Sequence, residues 1–176
     1  STISARGGTG RTLDYGAGGR VALWLTGEGE DFSEFSGAVD AYGGFFGSEA
    51  NSSAGTVYRK TAADTGVLTL RNTPNAVRED SMDRTDFPAT RICDPEEGKG
   101  VSLVVADHAT LSLTRDMDVS SLVFEGASPR ILLNGHTLRV HCYNPYRKTG
   151  YPAGVTIVKD GGEIVWNEPG LMLIVR

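Results

Sequence analysis

Cysteine is scarce in this sequence, and long apolar runs, helical stripes and an excess of positive charge are missing altogether. Two cysteines in 176 residues cannot build a disulfide-rich scaffold. Cys93 and Cys142 could form one bridge, clamping the irregular 72–100 region to a later strand, or stand as two separate thiols. No apolar run approaches a membrane span, and Leu171–Val175 is only strand-sized. Seventeen Lys and Arg against 22 Asp and Glu leave a net charge of −5, which argues against nucleic acid or an anionic membrane as partner. No stretch sustains apolar residues at i, i+3 and i+4, so little of the chain is expected to be helical. Ser1–Ala5 carries neither a basic n-region nor an apolar h-region, so a signal peptide is absent or already removed. The opening residues already alternate like a strand, which suggests a fragment or proteolytic product.

Glycine is what the chain has in excess. There are 23 glycines, about twice the usual share, and many are paired: Gly7-Gly8, Gly18-Gly19, Gly43-Gly44 and Gly161-Gly162. Glycine supplies positive φ where a chain turns sharply. Paired glycines between short apolar runs therefore predict many tight corners joining β-strands.

Internal repetition is the strongest signal. Ile3-Ser4-Ala5-Arg6-Gly7-Gly8 recurs as Val39-Asp40-Ala41-Tyr42-Gly43-Gly44, and Gly19-Arg20-Val21 recurs as Gly55-Thr56-Val57, at one shared offset of 36. A weaker third copy, Gly66–Leu70, follows Gly37–Ala41 at a shorter spacing. Within each unit the side chains alternate. Val21, Leu23 and Leu25 oppose Ala22 and Trp24, and Val57 and Arg59 oppose Tyr58 and Lys60, as in strands. Segments 26–34 and 45–54 read as exposed loops.

Residues 72–100 interrupt this pattern with three prolines and dense charge, the mark of a long excursion. Short strands then return at Ser102–Val105, Thr110–Leu113, Ser121–Phe124, Arg130–Leu133, Thr137–His141, Val155–Val158, Glu163–Trp166 and Leu171–Val175. Even spacing of this kind fits a parallel β-helix or an antiparallel sandwich or barrel. Tandem copies favour the first, because solenoid coils stack on one another to bury a shared core. The expected fold is thus an all-β, right-handed parallel β-helix (β-solenoid) segment, with an antiparallel β-sandwich as the alternative. Residues 1–72 would form repeats of 36-residue period, 73–100 an irregular loop, and 101–176 further solenoid strands of the same domain.

Two stretches carry a family resemblance. Gly18–Thr61, with GGRVALWL, FSGAVDAYGG and AGTVYRKT, resembles a module of very large secreted bacterial proteins. Leu111–Val140, ending in Leu-Asn-Gly-His-Thr-Leu, resembles the repeat of autotransporter passenger and adhesin-like β-helices. The two matches cover roughly half of the chain. The resemblance implies a right-handed β-helix outside the cell or on the bacterial surface, and it implies no activity. The chain departs from the repeat at Arg130–Leu133, where an acidic residue usually precedes Leu-Asn-Gly. The 72–100 excursion has no counterpart.

Candidate sites are few. Asn134-Gly135 before His136 reads as a turn rather than a catalytic pair. His108, His136 and His141 lack metal-ligand spacing, so no metal site is expected. Glu79, Asp80, Asp83 and Asp86 offer oxygen ligands that calcium could use, yet without a calcium-loop motif they read as a solvated loop. Glu28, Glu30, Asp31 and Glu34 read the same way. Asn51-Ser52-Ser53 matches a glycosylation sequon, discounted for a bacterial product. The loop from Tyr143 to Pro152 stands out, because Tyr143, Tyr146 and Tyr151 with Arg147 could stack on a sugar or grip a partner. Those four residues are the candidate binding site, though the plainer reading, that the tyrosines pack on the flank of the solenoid, is the favoured one. No catalytic set is expected and no cofactor beyond a calcium ion.

The leading expectation is a non-enzymatic structural or adhesive module of a secreted or cell-surface protein. Its partners would be neighbouring segments of a larger protein or copies of itself. The rivals are a polysaccharide lyase or glycoside hydrolase working along one solenoid face, and a carbohydrate-binding module without turnover.

Overall fold

The computed structural model describes residues 1–8, 16–46, 49–50, 52–72, 88–92 and 99–167. Among these residues there are sixteen strands and no helix, and hence no helix long and apolar enough to cross a membrane. The first half holds β1 (Thr2–Ser4), β2 (Arg20–Trp24), β3 (Ala38–Asp40), β4 (Phe45–Phe46), β5 (Glu49–Ala50), β6 (Thr56–Lys60), β7 (Val67–Arg71) and β8 (Thr90–Arg91). The second half holds β9 (Ser102–Ala106), β10 (Thr110–Ser112), β11 (Met117–Val119) and β12 (Ser121–Glu125). It continues with β13 (Arg130–Leu132), β14 (Thr137–Val140), β15 (Thr156–Val158) and β16 (Glu163–Trp166).

Nine of the eleven pairings between these strands are parallel. An antiparallel sandwich is therefore not the architecture. The exceptions are the short β4–β5 pair and the hairpin that joins β6 to β7.

The 36-residue period is a stacking register. β1 lies against β3 with Ile3 opposite Val39, and β2 lies against β6 with Val21 opposite Val57. Ser4 and Arg6 of the first unit reach across to the buried Asp40 of the second. Ser4 Oγ and Arg6 Nε donate to Oδ1 at 2.7 Å each, and Arg6 Nη2 donates to Oδ2 at 2.8 Å.

The paired glycines serve a purpose other than the expected one. Of the four pairs, only Gly161 has a positive φ. Gly7, Gly18, Gly44 and Gly55 instead lie where the units cross, backbone against backbone. A Cβ at Gly55 would overlap the carbonyl oxygen of Gly19, and one at Gly18 would overlap that of Ala41. The crossing is tied by main-chain bonds from Gly55 to Ala41 and from Gly18 to Ser53, at 2.7 and 3.0 Å. Ser52 and Ala54, expected in an exposed loop, are buried there because they belong to this crossing.

After β6 the chain turns back on itself. The expected third repeat copy, Gly66–Leu70, falls in β7 and does not stack on β3; β7 pairs antiparallel with β6 and parallel with β9. The result is one five-stranded sheet in the order β12-β9-β7-β6-β2. Its two faces serve different neighbours, since alternate residues of a strand point to opposite sides. Leu68 and Leu70 enter the main core, whereas Val57, Arg59, Val67 and Thr69 line a groove shared with β3. Asn72, buried at this junction, holds the two halves together. Its Oδ1 accepts from the Gly43 amide at 3.2 Å, its Nδ2 donates to Ser52 O at 3.1 Å, and its own amide donates to Asp107 O at 3.1 Å.

Beyond the junction the chain's first two circuits each place one strand in each of three sheets. Ser102 lies against Ser121, nineteen residues on; Thr110 against Arg130, twenty on; Met117 against Leu138, twenty-one on. A third circuit adds β15 on β13 and β16 on β14. Its longer spacing accommodates the tyrosine loop. The inward residues form ladders of like with like: Leu68, Leu103 and Leu122; Leu111, Ile131 and Ile157; Leu138 and Ile164. Most are fully buried, each contributing about 1.5–3 kcal/mol of apolar transfer. Asn134 and Gly135, at φ 49° and 79°, make the corner expected between two strands. Thr90–Arg91, inside the stretch expected to be irregular, form a strand on β10. Two residues are too few to show a period amid proline and charge. Leu171–Val175 lies outside the described residues.

Replacing Gly55 by Ala is expected to part the two N-terminal units, since the opposing atom is backbone and cannot rotate away. Hydrogen exchange should then show lost protection in β2 and β6 while β9–β14 stay protected.

Candidate functional site

The outer face of the five-stranded sheet carries a groove of ≈ 270 Å³ between its strands and β3. Val57, Val67 and Val104 give it an apolar floor, and Asp40, Tyr42, Arg59, Arg71 and Glu125 line it with polar groups. Most of the charge is already matched. Asp40 is held by Arg6 and Ser4, and Arg71 pairs with Glu125 at 2.5 Å and with Asp107 at 3.5 Å. Arg59 differs. Its guanidinium lies 5.9 Å from the ring centroids of both Phe32 and Phe35, it makes no ion pair among the described residues, and its buried Nε, like that of Arg71, has no hydrogen-bond partner there.

This groove can bind more readily than it can catalyse. A general acid in a glycosidase needs a carboxyl whose pKa is raised. The Arg6 hydrogen bonds hold the Asp40 carboxyl below the usual carboxylate range instead, and outweigh the opposing effect of burial. Glu125 is tied to Arg71 rather than set opposite a second free carboxylate. An arginine edged by aromatic rings beside an apolar floor suits a polyol or a carboxylate-bearing sugar. No pattern in the sequence points to this site. Its residues come from β3, β6, β7, β9, β12 and the 25–37 loop, and only the hairpin reversal brings them to one face.

The four residues expected to bind are only partly brought together. Tyr146 folds down onto the core. Its hydroxyl accepts from the Phe124 amide at 3.2 Å and donates to Leu122 O at 3.5 Å, so it serves the free edge of β12 where a next strand would pair. Burial pushes the Tyr146 phenol up. Tyr151 packs beside it with ring centroids 5.1 Å apart, and Phe124 and Trp166 complete the cluster at 5.7 and 6.0 Å from Tyr146. Trp166 arrives from β16, so nothing in the loop's own sequence points to it. Tyr143 stands apart at 54% exposure, and Arg147 is exposed. The loop is thus first a cover for the edge of β12, with Tyr151 and Tyr143 at its surface.

The remaining candidates fall to ordinary roles. His108 lies in a turn at φ 59°, His141 Nε2 meets Asp118 at 2.9 Å, and His136 Nδ1 lies 3.9 Å from Asp116. No group of three or more His, Cys, Asp or Glu among the described residues could hold a metal. Glu30 and Asp31 bond the nearby amides of Gly27 and Ser33, closing their own loop. Cys142 is a free thiol donating to Tyr143 O at 3.3 Å, its pKa raised by burial. Its proposed partner Cys93, the acids Glu79, Asp80, Asp83 and Asp86, and the sequon residue Asn51 lie outside the described residues. Comparison with protein-family models, curated proteins and solved structures finds no match to this chain.

Removing the Tyr146 hydroxyl with Tyr146→Phe should cost about 1 kcal/mol in chemical denaturation, the worth of one hydrogen bond. Tyr143→Ala should stay within about 0.5 kcal/mol. Asp40 predicts a pH dependence. Its folded pKa lies below the unfolded value of about 3.9, so its contribution is fully present above that pH and fades as pH falls through the folded value. Asp40→Asn should therefore lower stability by about 1–2 kcal/mol at neutral pH. Thermal melts of variant and parent should converge as the pH drops below about 4.

Proposed function

We propose that this chain is a non-enzymatic structural module: a right-handed parallel β-helix segment of a secreted or cell-surface bacterial protein, built to stack against neighbouring segments. The observation that carries this reading is the register. Strands pair in parallel 36 residues apart in the first part and about twenty apart in the second, where two successive circuits lay strands on the same three sheets. That is how a solenoid extends by adding copies of one unit.

A single hand throughout is consistent with the reversal at β6–β7. The hairpin inverts strand direction, and the chain then winds on the opposite face of the shared sheet. These two inversions cancel, so both parts wind with the same hand. Parallel crossovers in one sheet are right-handed in about 98% of cases, which favours that hand here. The extracellular setting follows from the resemblance to secreted and autotransporter-like proteins. The matched charges of the groove and the depressed Asp40 carboxyl support a role without turnover.

A second reading has a specific observation behind it. The Arg59 guanidinium, 5.9 Å from the rings of both Phe32 and Phe35 and in no ion pair among the described residues, favours carbohydrate binding in the groove, in particular of a uronate. One experiment addresses both readings. The purified chain is incubated with neutral and uronate-containing polysaccharides, with and without calcium, and new reducing ends and unsaturated products are measured alongside binding. The expected outcome is no turnover. Binding that disappears in Arg59→Met would favour the second reading, and turnover that survives purification and disappears in Arg59→Ala would overturn the first.

A further inference from the structure

The first 36-residue unit ends in two strands with one open edge each. Among the described residues β1 pairs only with β3, and β2 only with β6. Open edges are common at the end of a stack; the glycines behind these two are less easily explained.

In the second unit Gly44 and Gly55 have a clear reason to be glycine. A Cβ on either would overlap backbone of the preceding unit, the carbonyl oxygens of Gly8 and Gly19. Shifted by one period, the equivalent positions of the first unit are Gly8 and Gly19 themselves. Neither has a positive φ. A Cβ on Gly8 would meet no described atom within 4 Å, and one on Gly19 would meet only Ala5 of its own unit, at 3.1 Å. Glycine in an extended segment costs about 0.5–1 kcal/mol relative to Ala. Within the described residues that cost has no compensation at Gly8.

The face toward a following unit behaves differently. Gly18 must lack a Cβ because Ala41 and Gly55 of the second unit press on it. Its equivalent in the second unit is Ala54, buried against Thr90, whose hydroxyl bonds Ala54 O at the same offset of 36.

We infer that the open face formed by β1, β2, Gly8 and Gly19 is a docking surface for one further unit of this 36-residue type, joined ahead of Ser1 and stacked in the same parallel register. This rests on the stacked-repeat reading above. A second copy of the chain cannot donate that unit head to tail, because the matching face of its own second unit is taken by β7 and Thr90. The partner's chemistry follows from the existing crossing: paired glycines whose carbonyls seat on Gly8 and Gly19, and a short strand for each edge.

The test is a chain extended by a duplicate of residues 1–36 placed directly before Ser1, compared with the parent by hydrogen exchange and thermal melting. In the extended chain the amides of β1 and β2 should gain about tenfold or more in protection, and the melting temperature should rise. Gly8→Ala should be tolerated in the parent, yet destabilise the extended chain as much as Gly44→Ala destabilises the parent. Unchanged exchange in β1 and β2, with β9–β14 protected as usual, would overturn the docking surface and leave the β-helix reading intact. Equal tolerance of Gly8→Ala in both chains would overturn it too. Loss of protection in β9–β14 of the parent itself would remove the β-helix, and the docking surface with it. A parent chain that dimerises through the β2 edge would assign that edge to a second copy and likewise contradict the inference.

Discussion

Parallel, in-register stacking is the constraint on which everything else in this molecule depends. A parallel strand cannot pair with the strand before it through a tight turn, so each pairing here waits for the chain to complete a circuit. Each circuit must then set side chains of matching size above the last, which is why leucine lies on leucine from Leu68 through Leu103 to Leu122. The main core is one continuous set of such ladders. Outward positions are free to vary, and they carry the ion pairs and the groove.

The same constraint takes two forms. In the second half apolar ladders drive the stacking and corners such as Asn134-Gly135 turn the chain. In the first half apolar burial is thin, with the residues of β1 and most of β2 exposed or half-exposed. There the units approach backbone to backbone, and glycine is what permits it. The hairpin between β6 and β7 joins the two forms on one sheet, with Asn72 closing the seam through three hydrogen bonds. That reversal also turns Arg59 away from the main core and toward Phe32 and Phe35, so the groove is a by-product of how the two halves are joined.

Much of the fold was legible because stacking writes its period into the sequence. The offset of 36 between Ile3–Gly8 and Val39–Gly44 is the pairing register itself, and the strands from Ser102 onward fall close to where alternation places them. The purpose of the glycines was not legible. A glycine at a corner and a glycine at a crossing look the same in one dimension, and only the neighbouring carbonyl tells them apart. Gly66–Leu70 reads as a third repeat copy in one dimension because a strand's alternation does not record which neighbour it pairs with. The candidate site was the least legible part. Tyr146 looked like a binding residue for its chemistry and is used for it, but on the backbone edge of β12. The groove draws on six separate segments, and no spacing in the sequence could announce it.

The central claim is best tested by spin labels on residues that parallel stacking makes immediate neighbours. Val104 and Val123 face outward from β9 and β12 in register, and Thr2 and Ala38 are exposed partners one 36-residue period apart. Labels on each pair, with both cysteines replaced by serine, are read by electron paramagnetic resonance. Adjacent strands lie about 5 Å apart, so the account predicts strong dipolar broadening for both pairs. Spectra that are simple sums of the single-label spectra would contradict it.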